Sequence, residues 1–281
     1  MEPLEWCRDR LLVPGNPLTA SLVFAEPAHR DAILALRTAI SEIAGSAEVG
    51  DVGVGQTRLD WWQQAIAGSN QAAQRHPALQ ALERTSVLAR IDPVEFTPLL
   101  QAVEGLLSPP RFENLTETWT YCRGVGGQAS RLEARLLGAD ESLAGLMSEL
   151  GASAYLIRIT RDLAMDARAN RWLVPLDIQA DYQVSRSDVV EKNIGPAFDG
   201  MVRTLLDTAI GRANRVIEGL DSDALWQHRH LLIHWSLDRR LAIRIARRPA
   251  RILERRLLPG HAGNVWCAWR SARRLRRGVS L

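Results

Sequence analysis

Two aspartates four residues apart, Asp162 and Asp166, stand in the stretch RDLAMDARANRWLVP, with Arg161 before the first, Arg171 after the second and Pro175 closing it. On a helix, positions i and i+4 share a face, so both carboxylates project together. Paired carboxylates suit a hard divalent cation such as Mg²⁺, which takes oxygen ligands and keeps some of its waters. Such an ion bridges diphosphate oxygens, and Arg161 and Arg171 are near enough to add charge-assisted bonds to the same group. The spacing alone is weak. DxxxD is common on solvated helix faces, and Arg158, four residues before Asp162, is placed to pair with it instead.

Other reactive groupings are thinner. His230 and His234 have the i, i+4 spacing of a metal pair, but no acid completes an HExxH pattern, and an ordinary helix surface beside Arg229 is the better reading. Cys7, Cys122 and Cys267 are far apart, with no CxxC or Cys/His metal spacing, which fits a reducing, cytoplasmic setting. GVGVGQT and GVGG are not GxGxxG, and no strand precedes either, so a dinucleotide site is not expected. GVGG lies inside a helical pattern, where small residues permit close helix contact or leave room for a ligand chain. No GxSxG offers a nucleophile elbow, and no known reader motif points to nucleic acid.

The elements that must hold these residues read as helices throughout. HRDAILALRTAISEIAG has helical apolar spacing, GSAEVGDVGVGQT breaks it, and TRLDWWQQAIAG opens a new helix with Thr57 as its cap. HPALQALERTSVLAR and PVEFTPLLQAVEGLL follow. A helix runs from the Pro109–Pro110 pair to Gly138, and a long one through DESLAGLMSELGASAYLIRITRDLAMDARAN carries the aspartates. An irregular linker reaches Tyr182, and IGPAFDGMVRTLLDTAIGRANRVIEGL and DALWQHRHLLIHWSLDRRLAIRIARR form two more helices. No repeat or linker divides the chain, so residues 1–281 are expected to form one all-α domain.

Arginine crowds the C-terminal part, and residues 262–281 read as a basic helix bearing Trp266 and Trp269. The whole chain carries only +3 net charge. Arginine with tryptophan suits a membrane interface, and a core tryptophan beside a solvated basic face explains the composition equally well. The N-terminus has acids and no apolar stretch of a signal peptide, and no run is long enough to span a bilayer. The expectation is a cytoplasmic protein, soluble or peripheral at the inner membrane.

DLAMDARANRWLVP resembles the second aspartate-rich motif of the squalene/phytoene synthase family, which reads roughly RDxxEDxxxGRxYLP. Arg161, Asp162, Asp166, Arg171 and Pro175 match, with Asn170 in place of Gly and Leu173 in place of Tyr. WTYCRGVGGQASRLEARLLG is similar to the family's YCxxVAGxVGxxxxxLLG segment at Tyr121, Cys122, Val125, Gly127, Leu137 and Gly138. HPALQAL and RLDWW are further landmarks in the right order, and the resemblance extends over about residues 15–275.

The resemblance implies an all-α isoprenoid-synthase-type bundle around a central cavity, and a transferase of isoprenoid biosynthesis that condenses farnesyl- or geranylgeranyl-type diphosphates with Mg²⁺. It implies Asp162 and Asp166 as catalytic metal and diphosphate ligands, Arg171 and Arg161 as phosphate contacts, and Tyr121 as a catalytic pocket residue. Two stretches depart from the pattern. Ser41, Glu42 and Gly45 stand where the first aspartate-rich motif is expected, leaving Glu42 as its one carboxylate. Tyr155 and Arg158 stand where the family carries Gln and Asn on the cavity side, which makes them and Glu42 candidate substrate contacts. A branch of the family without the first motif is linked to respiratory complex I assembly. A non-catalytic role toward a lipid or a protein partner is therefore the alternative reading.

Overall fold

A computed structural model describes residues 2–68, 76–108, 110–279 and 281, and among these every regular element is helical. The axis of the molecule is the 28-residue helix Glu141–Arg168, capped at its start by Asp140, whose side chain accepts from the Leu143 amide. Pro196–Glu218, Gln128–Leu136 and Arg229–Arg247 pack against it. Its middle turn, Gly151-Ala152-Ser153-Ala154, is fully buried and made of small residues, so neighbouring backbones come close.

That close approach has a counterpart on the neighbouring chain. The helix Leu115–Cys122 passes through one π-helical segment, Arg123–Gly127, before continuing as Gln128–Leu136. A β-carbon at Gly126 would stand 2.7 Å from the Gly151 carbonyl oxygen, and one at Gly151 would stand 2.5 Å from Ser130 Oγ. The GVGG stretch is thus a packing device. It sets the π segment against the central helix and brings Tyr121 and Tyr155 within 3.0 Å of each other at their hydroxyls.

Two apolar cores flank this seam. One gathers the central and C-terminal helices, the other the N-terminal helices, and Tyr155 packs against both. Between Arg30–Ala44 and Gln128–Leu136 lies a buried pair. Arg37 Nε donates to Glu133 Oε1 at 2.7 Å, and Glu133 is fully buried. Burial would raise the Glu133 carboxyl, but Arg37, with help from His230, holds it well below the usual carboxylate range.

Several boundaries differ from the sequence pattern: the helix expected from the Pro109–Pro110 pair starts at Leu115, and the one expected over 262–281 ends at Leu275. The helix expected to open at Thr57 starts at Val52, because Asp51 accepts from the Val54 amide and nucleates it through the glycines. Leu176–Tyr182 is a helix, not a linker: it begins at Pro175 and ends at Gln183 in the left-handed region. The segment around His228 is two helices, Ser222–Gln227 and Arg229–Arg247, because the backbone leaves the helical region at His228 (ψ 21°). The C-terminal helix runs His261–Leu275.

The glycine seam makes a paired prediction. Gly126→Ala should lower the unfolding free energy by about 1–3 kcal/mol through overpacking. Gly145→Ala, in the same central helix with open space where its β-carbon would sit, should raise it by about 0.4–1 kcal/mol. Urea unfolding of both variants checks this; equal effects would contradict the close approach.

Candidate functional site

The last turns of the central helix carry Tyr155, Arg158, Arg161, Asp162 and Asp166. The helix stops because Asn170 adopts φ 58°, a left-handed conformation that Asn tolerates better than most residues with a side chain. This is where the family pattern carries glycine. The reversal returns Arg171 to the helix end: its amide donates to the Asp166 carbonyl at 2.8 Å, and its guanidinium donates to Asp166 Oδ1 at 2.8 Å.

These residues wall a cavity of about 590 Å³. One end is charged, with Arg161, Asp162, Asp166, Arg171, Arg256 and Glu48. The rest is mainly apolar, with Ala44, Val103, Leu106, Val125 and Ile159. Tyr121 and Tyr155 stand along it. Tyr121 and Leu106 also line a second, largely apolar cavity of about 670 Å³ beside Phe112 and Gly124.

Each carboxylate is engaged by arginine. Arg161 holds Asp162 from the neighbouring position, and Arg256 grips it with two parallel bonds, Nε to Oδ1 at 2.8 Å and Nη2 to Oδ2 at 2.9 Å. Burial raises the Asp162 carboxyl, but Arg161 and Arg256 outweigh it and keep the group below the usual carboxylate range. Asp166 goes the other way. Burial pushes it up, Asp162 and Glu48 add to the rise, and Arg171 offsets only part. Both Arg171 bonds fall on Oδ1, so Oδ2 has no protein donor among the described residues. The two aspartates are therefore unlike: Asp162 is fully paired, and Asp166 has spare acceptor capacity.

Arg158 is turned elsewhere. Its Nη2 donates to Asp238 Oδ2 at 2.7 Å and to His234 Nε2 at 2.5 Å, rather than pairing with Asp162. Because guanidinium only donates, His234 Nε2 is the acceptor. Nδ1 then carries the proton and faces Ser21 Oγ at 3.3 Å. His230 and His234 are thus buried, not on a helix surface, and Asp238 supplies the acid one turn beyond His234. No cluster of three or more His, Cys, Asp or Glu side chains able to hold a metal occurs among the described residues.

The structure brings Tyr121, Tyr155, Arg158, Arg161, Asp162, Asp166 and Arg171 to one cavity. Glu42 lies outside it. Its carboxylate is buried and paired with Arg10 on the N-terminal helix Pro3–Leu11. The carboxylate on that wall is instead Glu48, two turns on, in the helical segment Gly45–Glu48. Sequence spacing missed Arg256 and Glu48. Arg256 is one among many C-terminal arginines, and Glu48 sits in a Gly-rich stretch without helical periodicity. The tyrosines are not bases in waiting: burial pushes Tyr121 well above its ordinary value and Tyr155 up to about 12.

A family model described as squalene/phytoene synthase matches residues 17–261. A chloroplastic phytoene synthase of Narcissus pseudonarcissus is 35% identical over 136 residues, covering 45% of this chain and 31% of that enzyme. A phytoene synthase of Thermus thermophilus is 25% identical over 191 residues, covering 66% of this chain and 63% of that enzyme. The matched segments thus span less than two thirds of either relative. A dehydrosqualene synthase crystal structure superposes with TM-score 0.81 at 13% identity, over 98% of this chain and 97% of that one. A squalene synthase from Alicyclobacillus acidocaldarius gives TM-score 0.70 at 16% identity, over 89% of this chain and 94% of that one. At such identity the two structures establish the isoprenoid-synthase-type helical fold.

The buried histidines predict acid sensitivity. Burial and Arg158 lower His234 to about 3, and burial and His230 lower His228 to about 4. Both are neutral when folded, while the unfolded chain protonates near 6.5, so stability is complete above that pH and falls as the pH drops toward the folded values. At pH 5 each histidine should cost about 1–2 kcal/mol. Urea unfolding between pH 7.5 and pH 5 should show the loss, and His234→Gln should remove its share of the slope.

Proposed function

The chain belongs to the squalene/phytoene synthase family, and we propose that it binds a prenyl diphosphate in the cavity below Asp162 and Asp166, as a Mg²⁺-dependent step of isoprenoid biosynthesis. The observation that carries this is the division of one cavity into a charged end and an apolar length. Arg161, Arg171 and Arg256 supply donors for a diphosphate, and the apolar walls remove the hydrocarbon chain from water. The second cavity, which shares Tyr121 and Leu106 with the first, offers further apolar surface.

The magnesium expected from the family fits the donor type. Asp162 and Asp166 present hard carboxylate oxygens on one helix face, and Asp166 Oδ2 is without a protein donor among the described residues. These two residues would hold the ion, which when bound neutralises diphosphate charge. Arg256 and Arg161 already satisfy Asp162, so their bonds to it compete with the metal. Tyr121 and Tyr155, neutral and hydrogen-bonded to each other, shape the wall and donate no charge.

A second reading has its own observation. Ser41, Glu42 and Gly45 occupy the place of the first aspartate-rich motif, and Glu42 is spent on Arg10. Among the described residues the cavity lining outside the central helix therefore offers Glu48 as its one carboxylate, which favours a family member that binds its isoprenoid lipid, or a protein partner as in respiratory complex I assembly, without condensing two diphosphates. In this reading the protein acts in the cytoplasm or at the inner face of a membrane. No described helix is long and apolar enough to cross one.

Calorimetric titration with farnesyl diphosphate, with and without Mg²⁺, separates these readings. Arg171→Gln and Arg256→Gln should each weaken binding by about 10- to 100-fold, the worth of a charge-assisted bond. Asp166→Asn should abolish the dependence on Mg²⁺. Absence of binding by the wild-type protein under both conditions would rule out the diphosphate reading and favour the protein-partner one.

A further inference from the structure

Outside the central cavity, a second cleft of about 560 Å³ lies between the helices Arg229–Arg247 and His261–Leu275. Six arginines line it: Arg239, Arg240, Arg244 and Arg247 from the first helix, Arg270 and Arg274 from the second. No acidic side chain lines it among the described residues. Among the described residues Arg239, Arg240, Arg244, Arg247 and Arg270 make no salt bridge, whereas the arginines of the central cavity are each held by a carboxylate. Five like charges gathered without salt bridges among the described residues oppose folding, and an external anion would relieve that repulsion.

A neighbouring feature says which anion. Trp266 and Trp269, on the face of His261–Leu275 next to the cleft, are 62% and 41% exposed and stack on each other with ring centroids 5.0 Å apart. Arg273 lies over Trp269 at 4.8 Å. Leu258 and Val265, nearby in the chain, are also exposed. Trp235 and Trp119, by contrast, are core residues. Exposed indoles beside clustered guanidinium groups match the chemistry of a lipid headgroup layer: aromatic rings lodge at the interface and arginines take phosphates.

We propose that the arginine cleft is a binding site for the phosphate headgroup of an anionic phospholipid, and that Trp266 and Trp269 seat this face of the protein on the membrane surface. The site is separate from the prenyl-diphosphate cavity, and the inference does not rest on that reading.

The test is flotation of the full-length chain with vesicles of phosphatidylcholine alone or of equal parts phosphatidylcholine and phosphatidylglycerol. Wild type should float with the anionic vesicles only, and added salt should release it. Each cleft charge near the surface is worth about fivefold in binding, so Arg240→Glu/Arg270→Glu should weaken flotation by more than about tenfold. Arg58→Glu/Arg90→Glu, with the same net charge but outside the cleft, should leave it nearly unchanged. Trp266→Ala/Trp269→Ala should weaken it with no effect on its salt dependence. Arg240→Gln/Arg270→Gln serves if the charge reversals unfold, as judged by circular dichroism. Equal flotation on neutral vesicles, or equal loss from both arginine pairs, would overturn the proposal. So would calorimetric binding of tripolyphosphate by a wild type that does not float, which would make this a site for a soluble anion.

Discussion

A charged group inside a protein must be paired or it destabilises the fold, and at the end of the central helix that rule organises everything nearby. Asp162 and Asp166 are largely withdrawn from water on one face, so each requires a cation. Arg161 and Arg171 come from the same stretch, but Arg256 comes from 94 residues further along the chain. Its two-pronged grip on Asp162 ties the segment after Arg251–Glu254 to the cavity mouth. Arg158 follows the same rule one turn earlier. Removing one partner of such a pair costs about 3–5 kcal/mol where burial is complete, which explains why Arg158 is matched by the buried Asp238 and by a neutral His234.

The consequence for chemistry is an asymmetry that spacing alone does not show. Two identical side chains one turn apart are held in opposite protonation tendencies, because two guanidinium groups serve Asp162 and one serves a single oxygen of Asp166. At this end of the cavity Asp166 offers a cation its spare acceptor oxygen, and Arg256 offers a diphosphate a donor that can be shared. Arg256 is the most exposed member of the cluster, with about half of its side chain in solvent, and so is the one with freedom to move.

Much of this was legible in the chain itself. The i, i+4 aspartates, the flanking arginines and the tyrosine block all reach one cavity, because helical periodicity and local motif order are short-range properties. Asn170 in a glycine position was legible too, since few other residues accept its φ. What was not legible came from long-range pairing. Nothing in the run of C-terminal arginines singles out Arg256, and helical phase alone could not say that Glu42 turns to Arg10 while Glu48 faces the aspartates. His230 and His234 were read as a helix surface because the surrounding arginines look solvated. The buried partners Glu133 and Asp238, distant or on the far side of the turn, make them interior.

The charged end of this cavity is proposed to receive a diphosphate and its apolar length the hydrocarbon chain. The most direct measurement is a crystal structure of the protein with Mg²⁺ and farnesyl thiodiphosphate, an analogue that resists ionisation. The diphosphate should lie against Arg171 and Arg256, metal at Asp166, and the hydrocarbon along Val125 and Ile159. An empty cavity at saturating analogue, or a headgroup bound away from these arginines, would contradict it.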